Sequence, residues 1–256
     1  MLQERRNVIL DKIMRVGMVK IADLALEFDV SIETIRRDLE YLEKHGYVKR
    51  VYGGAVSSKT YGKEPAYESR EVSNYADKMA IAAKIIELLE DGSVVYLDVG
   101  TTVLEVARLL YTRKDITVVT NATKAAQAVI SGKNNRVILL GGTMRSGEMS
   151  VSGSMTEKEA ALFRYNTAVL GVGGLTPDGL TDYHVEEASV RRTVIERADR
   201  IIVAADHSKF GQTCMNFICP ASKVSTIVTD QQTPQATLDE YQAMGISVIP
   251  ADSSGS

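Results

Sequence analysis

The chain has 256 residues, 45% of them hydrophobic and 25% charged, with no Trp and four Phe. That size and balance fit one large domain, or a large one with a small one attached, and exclude a disordered, collagenous or disulfide-stapled chain. The 30 Lys plus Arg against 33 Asp plus Glu leave a formal charge of -3, which taken whole speaks against a polyanionic partner. Cys214 and Cys219 lack the companions of a disulfide framework or a zinc site and read as reduced thiols. The opening MLQERRNVIL lacks the continuous apolar stretch of a signal peptide. The longest apolar runs, 137–140 and 201–205, fall far short of the roughly 20 residues that cross a bilayer. A cytosolic protein with no membrane partner is expected.

Along the chain, Ile9, Ile13 and Val16 recur at helical spacing up to Gly17. Residues 21–28 predict a second short helix with Leu24 and Phe28 on one face. Asp29 and Val30 form a tight turn, and Ser31 can cap the helix that follows. In that third helix Ile35, Leu39 and Leu42 make one apolar stripe, with Arg36, Arg37 and Glu40 off it. Gly46 ends it, residues 47–51 alternate as a strand, and the pattern closes at Gly53, Gly54 and Ala55. Residues 57–75 hold Ser, Gly and Pro without a sustained apolar period and read as a linker, in part helical.

From there Ile81, Ile85 and Leu89 mark a helix. Short apolar runs then recur at 94–97, 116–120, 137–140, 168–172, 201–205, 227–229 and 246–249. Helix-length amphipathic segments stand between most of them, at 102–111, 123–130, 154–164, 185–198 and 234–244. Apolar strands alternating with helices specify a mainly parallel sheet covered on both faces. The layout is a small helical domain over 1–56, a linker over 57–75 and an α/β domain over 76–252.

Two short helices joined by a tight turn, with a strand pair behind them, predict a helix-turn-helix with a wing. A small bundle with a solvated charged face, or a docking module, has the same pattern, and pattern alone leaves both open. In the first case the second helix enters the major groove with its N-terminal half on base edges. Ser31, Thr34, Arg36 and Arg37 are then the candidate contacts, since an Arg fork can bond both acceptors of a guanine. Lys49 and Arg50, on the wing strand beside Tyr52, would meet phosphate.

The string Ser31-Ile32-Glu33-Thr34-Ile35-Arg36-Arg37-Asp38-Leu39, followed by Leu42, Gly46 and Arg50-Val51-Tyr52-Gly53-Gly54-Ala55, closely resembles the DeoR family of bacterial sugar-metabolism regulators. The resemblance runs over nearly the whole chain. It implies an N-terminal winged helix-turn-helix joined to a Rossmann-like α/β sensor domain that resembles ribose-5-phosphate isomerase. By that match Thr34, Arg36 and Arg37 are recognition-helix contacts. Asp38, a carboxylate that phosphate would repel, instead orients a neighbouring Arg or caps locally.

Four turns of the second domain suit an anion. Asp98-Val99-Gly100-Thr101-Thr102 lies between a strand and a helix, where glycine permits close approach, hydroxyls donate and a helix N-terminus offers unpaired N–H groups. Thr120-Asn121, Gly141-Gly142 and the Gly173-Gly174 pair occupy equivalent strand ends, and in open α/β sheets such ends converge on one crevice. No nucleotide fingerprint accompanies them. Asp206-His207-Ser208-Lys209 follows a further strand; its Lys209 suits a phosphate and its Asp206 sugar hydroxyls, or the two simply pair in a surface turn. The resemblance assigns this segment, and more weakly Lys78, to an effector pocket. Glu187, beside Glu186, lines that pocket or merely answers a helix dipole.

A sugar-phosphate isomerase or hydrolase is the rival, since Asp98, Asp182, Glu187, Asp206 and Lys209 supply a base and a polariser by type. The isomerase's glycine-rich catalytic string is not intact here. The expected protein is therefore a repressor that is not an enzyme and uses no cofactor or metal. It binds double-stranded operator DNA as a homodimer or homotetramer and is released by a phosphorylated sugar. Charge supports the division: residues 1–60 hold 11 Lys plus Arg against 9 Asp plus Glu, a balance of +2, and the remainder carries -5.

Overall fold

The computed structural model describes residues 5–6, 8–10, 12–13, 18–44, 47–57 and 64–252. Val16, Gly17, Gly46 and residues 58–63 of the expected linker lie outside the described residues. The chain forms two compact units, Met1–Pro65 and Ala66–Ser256.

In the first unit, residues 5–6, 8–10 and 12–13 are helical. Strand β1 (Met18–Lys20) precedes helices α1 (Ile21–Glu27) and α2 (Ile32–Lys44), and the hairpin β2 (Val48–Val51) and β3 (Gly54–Ser57) closes the unit. The sheet order is β1-β3-β2, antiparallel throughout. Asp29 at φ 50 takes the left-handed conformation that lets α1 end and α2 begin within a few residues. Ser31 Oγ accepts from the Thr34 N–H at 3.1 Å, the capping bond expected there. Ile9, Ile13, Leu24, Ile35 and Leu39 form a fully buried core, the apolar stripe that the spacing predicts. A Cβ at Gly54 would lie 2.1 Å from the Val19 carbonyl oxygen, so β3 can pair closely with β1 only with glycine there.

The second unit opens with α3 (Tyr67–Val72) and α4 (Tyr75–Leu88), so the segment read as linker contains a helix. There follow β4 (Val94–Leu97), α5 (Thr101–Leu109), β5 (Thr117–Thr120), α6 (Thr123–Ser131), β6 (Arg136–Leu139), the hairpin β7 (Thr143–Arg145) and β8 (Ser150–Ser152), and α7 (Ser154–Ala160). Next come β9 (Tyr165–Leu170), β10 (Gly174–Thr176), β11 (Gly179–Asp182), α8 (Val185–Ile195) and β12 (Ala198–Ala204). Strands β13 (Asn216–Cys219) and β14 (Thr226–Asp230), helix α9 (Gln235–Ala243) and β15 (Ser247–Ala251) complete the unit.

Seven strands form one parallel sheet in the order β15-β14-β12-β9-β4-β5-β6. They are the seven apolar runs of the sequence. Side chains alternate between its faces, as period two requires. Val95 and Leu97 belong to the buried cluster that holds Ile81 of α4 and Val103 of α5, while Tyr96 belongs to the cluster that holds Val190 and Val194 of α8 and Tyr241 of α9. The order of sequence reverses between β4 and β9, which makes that junction the topological switch point. After β9 the short β10 and β11 join β13 in a small antiparallel sheet. Strands of three and four residues with Thr and Asp on them carry no apolar run to announce them. No helix among the described residues is long and apolar enough to cross a membrane.

Candidate functional site

In the first unit, Ser31 immediately precedes α2, and Thr34, Arg36 and Arg37 occupy its N-terminal half. Ser31 Oγ and Thr34 Oγ1 lie 2.9 Å apart. The Arg36 and Arg37 side chains are 60% and 76% exposed and reach Glu33 only at 3.7 and 3.6 Å, a loose surface pairing that leaves both forks available. Asp38 points the other way. It is 1% exposed and accepts from Arg5 Nε at 2.7 Å and Arg6 Nε at 2.8 Å. This is the orienting role expected of it, with the partners lying 33 and 32 residues earlier. On the wing Lys49 is exposed, whereas Arg50 binds Glu43 twice, through its N–H at 2.8 Å and its Nε at 2.6 Å. Those two hydrogen bonds hold the Glu43 carboxyl below its usual range.

In the second unit the predicted turns lie at the carboxyl ends of β4, β5, β6, β9 and β12. Gly100, at φ 150, leads into α5, and a Cβ there would approach nothing nearer than the Gly171 Cα at 3.9 Å. No side chain caps α5, so the N–H groups around Thr101 and Thr102 keep the donors and dipole of a free helix start. The turn after β5 is different. Thr120 Oγ1 donates to Leu97 O at 2.6 Å, and Asn121 accepts from Tyr96 OH at 2.8 Å and donates to Val151 O at 2.9 Å. After β6, the Gly141 N–H donates to Glu159 Oε2 at 2.6 Å, and a Cβ on Gly142 would lie 2.1 Å from Thr156 Oγ1. Gly173 and Gly174 allow the 212–214 segment to pass close, since added Cβ atoms would meet Cys214 Sγ at 2.8 Å and Gln212 O at 2.3 Å.

At the switch point lies a buried ionic cluster centred on Arg191 of α8, which the sequence did not single out. Its Nε donates to Asp98 Oδ2 at 2.6 Å, and Asp98 Oδ2 also accepts from the Gly171 N–H at 3.1 Å. Arg191 Nη1 stands 2.6 Å from Asp182 Oδ2 without hydrogen-bond alignment, and Nη2 is 3.9 Å from Glu187 Oε2. Glu187 Oε1 takes Ser150 Oγ at 2.8 Å and Arg145 Nη1 at 3.0 Å. Burial pushes the Asp98 carboxyl up to about 6 against the pull of Arg191. The cluster ties the ends of β4 and β9 to both hairpins and α8.

The third group is Lys78, Asp206 and Lys209. Lys78 is buried and is held down at about 8 by desolvation, with the charges of Lys209 and Arg70 adding to that and those of Asp206 and Glu105 opposing it. Those influences put the start of α4 within electrostatic reach of the β12 end and of α5. Asp206 Oδ1 accepts from Ser208 N at 3.0 Å, from Ser208 Oγ and from Asn74 Nδ2 at 3.3 Å. Lys209 and, to a lesser extent, Ser208, Lys78 and His207 keep Asp206 below its ordinary range despite its burial. Asp206 and Lys209 form no ion pair within 4 Å among the described residues. Next to them Asp77, His207 and Asp230 bring their ligand atoms within 4.8 Å of one another, and His207 Nδ1 lies 3.0 Å from Asp230 Oδ1.

A turn-linked helix pair with a wing, followed by a doubly wound unit whose polar groups gather at the strand ends, is the architecture of a transcription regulator with its own sensing domain. Residues 5–61 match the DeoR-like helix-turn-helix domain and residues 73–231 the DeoR C terminal sensor domain. The chain belongs to the DeoR family. It is 32% identical to the HTH-type transcriptional repressor CsqR of Escherichia coli strain K12, over 96% of this chain and 94% of that one. It is 31% identical to the glycerol-3-phosphate regulon repressor of the same strain, over 92% and 93%. Among solved structures it is similar to ribose 5-phosphate isomerase A from Methanocaldococcus jannaschii, with 18% identity, 54% and 55% coverage and a TM-score of 0.41.

Proposed function

We propose that this chain represses carbohydrate-utilisation genes in the cytoplasm by holding operator DNA through paired winged helices, and that a phosphorylated sugar in the strand-end crevice releases it. Ser31, Thr34, Arg36 and Arg37 read the major groove, and Lys49 and Arg50 meet phosphates at the flank, with Arg50 exchanging Glu43 for a phosphate oxygen. Two copies at least are needed, because two-fold pairing doubles the contacts of a small head. In the sensing unit the phosphate sits on the uncapped start of α5 at Gly100-Thr101-Thr102 with Lys78 and Lys209 as counter-charges, and Asp206 takes sugar hydroxyls. The remaining predicted residues, Asp98, Thr120, Asn121, Gly141, Gly142, Gly173, Gly174 and Glu187, shape the crevice behind them.

The observation that carries the reading is the buried Lys78, whose charge is felt with those of Asp206, Lys209 and Glu105 of α5, together with an α5 start that no side chain caps. An uncapped helix start and a cluster with two lysines both favour an anion. The names of the relatives, repressors in both cases, support the DNA half. Binding without turnover is supported by the state of two buried carboxylates. Asp98 is held by Arg191 and the Gly171 N–H, and Glu187 by Ser150 and Arg145, so neither is free to serve as a proton-abstracting base.

The test is to heat the protein with a panel of sugar phosphates while assaying for product. A saturable rise in Tm with no product is expected. Turnover moves the chain to the enzyme class, and no rise with any phosphosugar removes the effector.

A further inference from the structure

Helix α3 and the first turn of α4 form an elbow at the start of the second unit, next in the chain after residue 65. Little apolar surface holds it. Tyr67 is the only buried residue of α3 and Val72 is exposed, and six residues are too few for a helix to persist by itself. Polar contacts hold it instead. Arg70 pairs with Glu148 beyond β7, and Glu71 stands 3.4 Å from both Arg108 and Lys124. On the inner side, Lys78 Nζ donates to the carbonyl oxygens of Arg70 and Ser73, the latter at 2.6 Å, closing the end of α3. Asn74, left-handed at φ 52, donates to Asp206 Oδ1, and Asp77 Oδ2 accepts from Gln232 Nε2 at 2.8 Å.

Two of these anchors are the groups that the effector reading gives to the ligand. Asp206 Oδ1 already accepts three hydrogen bonds, of which the one from Asn74 is the longest at 3.3 Å. A sugar hydroxyl bonding that oxygen displaces Asn74 first. The Lys78 ammonium has three protons and spends two on the elbow carbonyls; a phosphate oxygen draws the same nitrogen toward the strand ends. We propose that the α3–α4 elbow is the element that effector binding releases, with Asn74 and Lys78 as positioning residues whose bonds to Asp206 and to α3 the ligand takes over. The elbow leads into the chain that joins the two units, so its loosening is how occupancy is reported. The inference rests on the effector reading and adds the direction of the response.

Hydrogen exchange on the full-length protein, with and without a fixed mixture of glycerol 3-phosphate, glucose 6-phosphate and fructose 6-phosphate, separates the two. Slower exchange at 98–102 and 206–209 together with faster exchange at 67–73 is expected. Slower exchange at the strand ends with unchanged or slower exchange at 67–73 overturns the elbow and leaves the pocket standing. No change at the strand ends overturns both.

Asn74→Gly tolerates the left-handed backbone and removes the amide donor with the rest of the side chain. It should speed exchange at 67–73 about fivefold in the free protein, the size of one hydrogen bond. By reciprocity it should tighten ligand binding by a similar factor, because Asp206 no longer gives up a partner. A residue that merely shaped the pocket would weaken binding when removed. Unchanged or weaker binding in Asn74→Gly therefore overturns the proposal.

Discussion

Replacing Arg191 by Met should be among the most damaging single changes in the sensing unit. The side chain is 3% exposed and faces Asp98, Asp182 and Glu187, themselves 1%, 5% and 3% exposed. Without it three buried carboxylates are left with Arg145 as the only nearby cation among those described. Removing one partner of a buried pair costs about 3–5 kcal/mol. A second limit comes from protonation: neutralising one carboxyl of ordinary pKa at pH 7 costs about 4 kcal/mol. Both routes converge on about 4 kcal/mol, and on more if two carboxylates stay charged, against a total stability of about 5–15 kcal/mol.

The sign of the pH dependence follows. Asp98, already at about 6 against the pull of Arg191, is pushed further up in the variant, so the folded state holds extra protons and stability falls as pH rises through that window. The loss relative to the parent should therefore be smaller at about pH 5 than at about pH 7.5. Urea unfolding read through hydrogen exchange of amides in β4 and β9 measures it within the correct unit, and adding Asp98→Asn should recover part of the loss. A cost below about 1 kcal/mol that is the same at both pH values would refute the view that Arg191 neutralises this cluster.

Four further outcomes are expected. Asp38→Asn should destabilise the first unit by about 2 kcal/mol, because both Arg5 and Arg6 lose a buried carboxylate; operator affinity should fall only as far as the folded fraction does, as circular dichroism and anisotropy together would reveal. Arg37→Ala should leave stability within about 0.5 kcal/mol while weakening operator binding by roughly 1–3 kcal/mol, and full binding would remove Arg37 from the interface. Lys209→Ala should bind operator normally yet resist release by sugar phosphates in the same anisotropy assay. Phosphate affinity should decline as pH rises through about 8, where Lys78 loses its proton. The stability contribution of Lys78 runs the other way: from about 8 to its unfolded value the unfolded chain binds more protons, so folding becomes more favourable as pH rises. A flat calorimetric affinity from pH 7 to about pH 9 would place the phosphate away from Lys78.

The parallel sheet was legible because both its faces are buried, so each strand had to be an aliphatic run whatever its neighbours. The helix-turn-helix was legible for a local reason: Asp29, Ser31 and the Ile35, Leu39, Leu42 stripe fix its turn, cap and core within a few residues. Arg191 was not. It sits beside Arg192, and nothing local says that Arg192 reaches a carbonyl oxygen on β13 while Arg191 is buried. The distinction depends on Asp98, 93 residues away, ending its strand beneath that turn of α8. Asn74 was invisible for the same reason, its partner lying 132 residues on.

The four strand-end turns looked equivalent in the sequence, and the topology makes them unequal. The β7–β8 hairpin lies across the end of β5, where Val151 N–H donates to Asn121 O at 2.8 Å and Thr123 N–H to Met149 O at 2.9 Å, and Ala122 bridges Ser150. Thr120 and Asn121 are therefore struts under a cover, and Gly141 is occupied by Glu159 in the same way. At the switch between β4 and β9, the helices that follow them pack on opposite faces of the sheet. There an added Cβ on Gly100 would approach only the Gly171 Cα, at 3.9 Å, and no side chain caps α5, whose Thr101 and Thr102 are buried. Strand order, which no local pattern encodes, thus separates the turn at Gly100 from those after β5 and β6, whose polar groups are bonded within the fold.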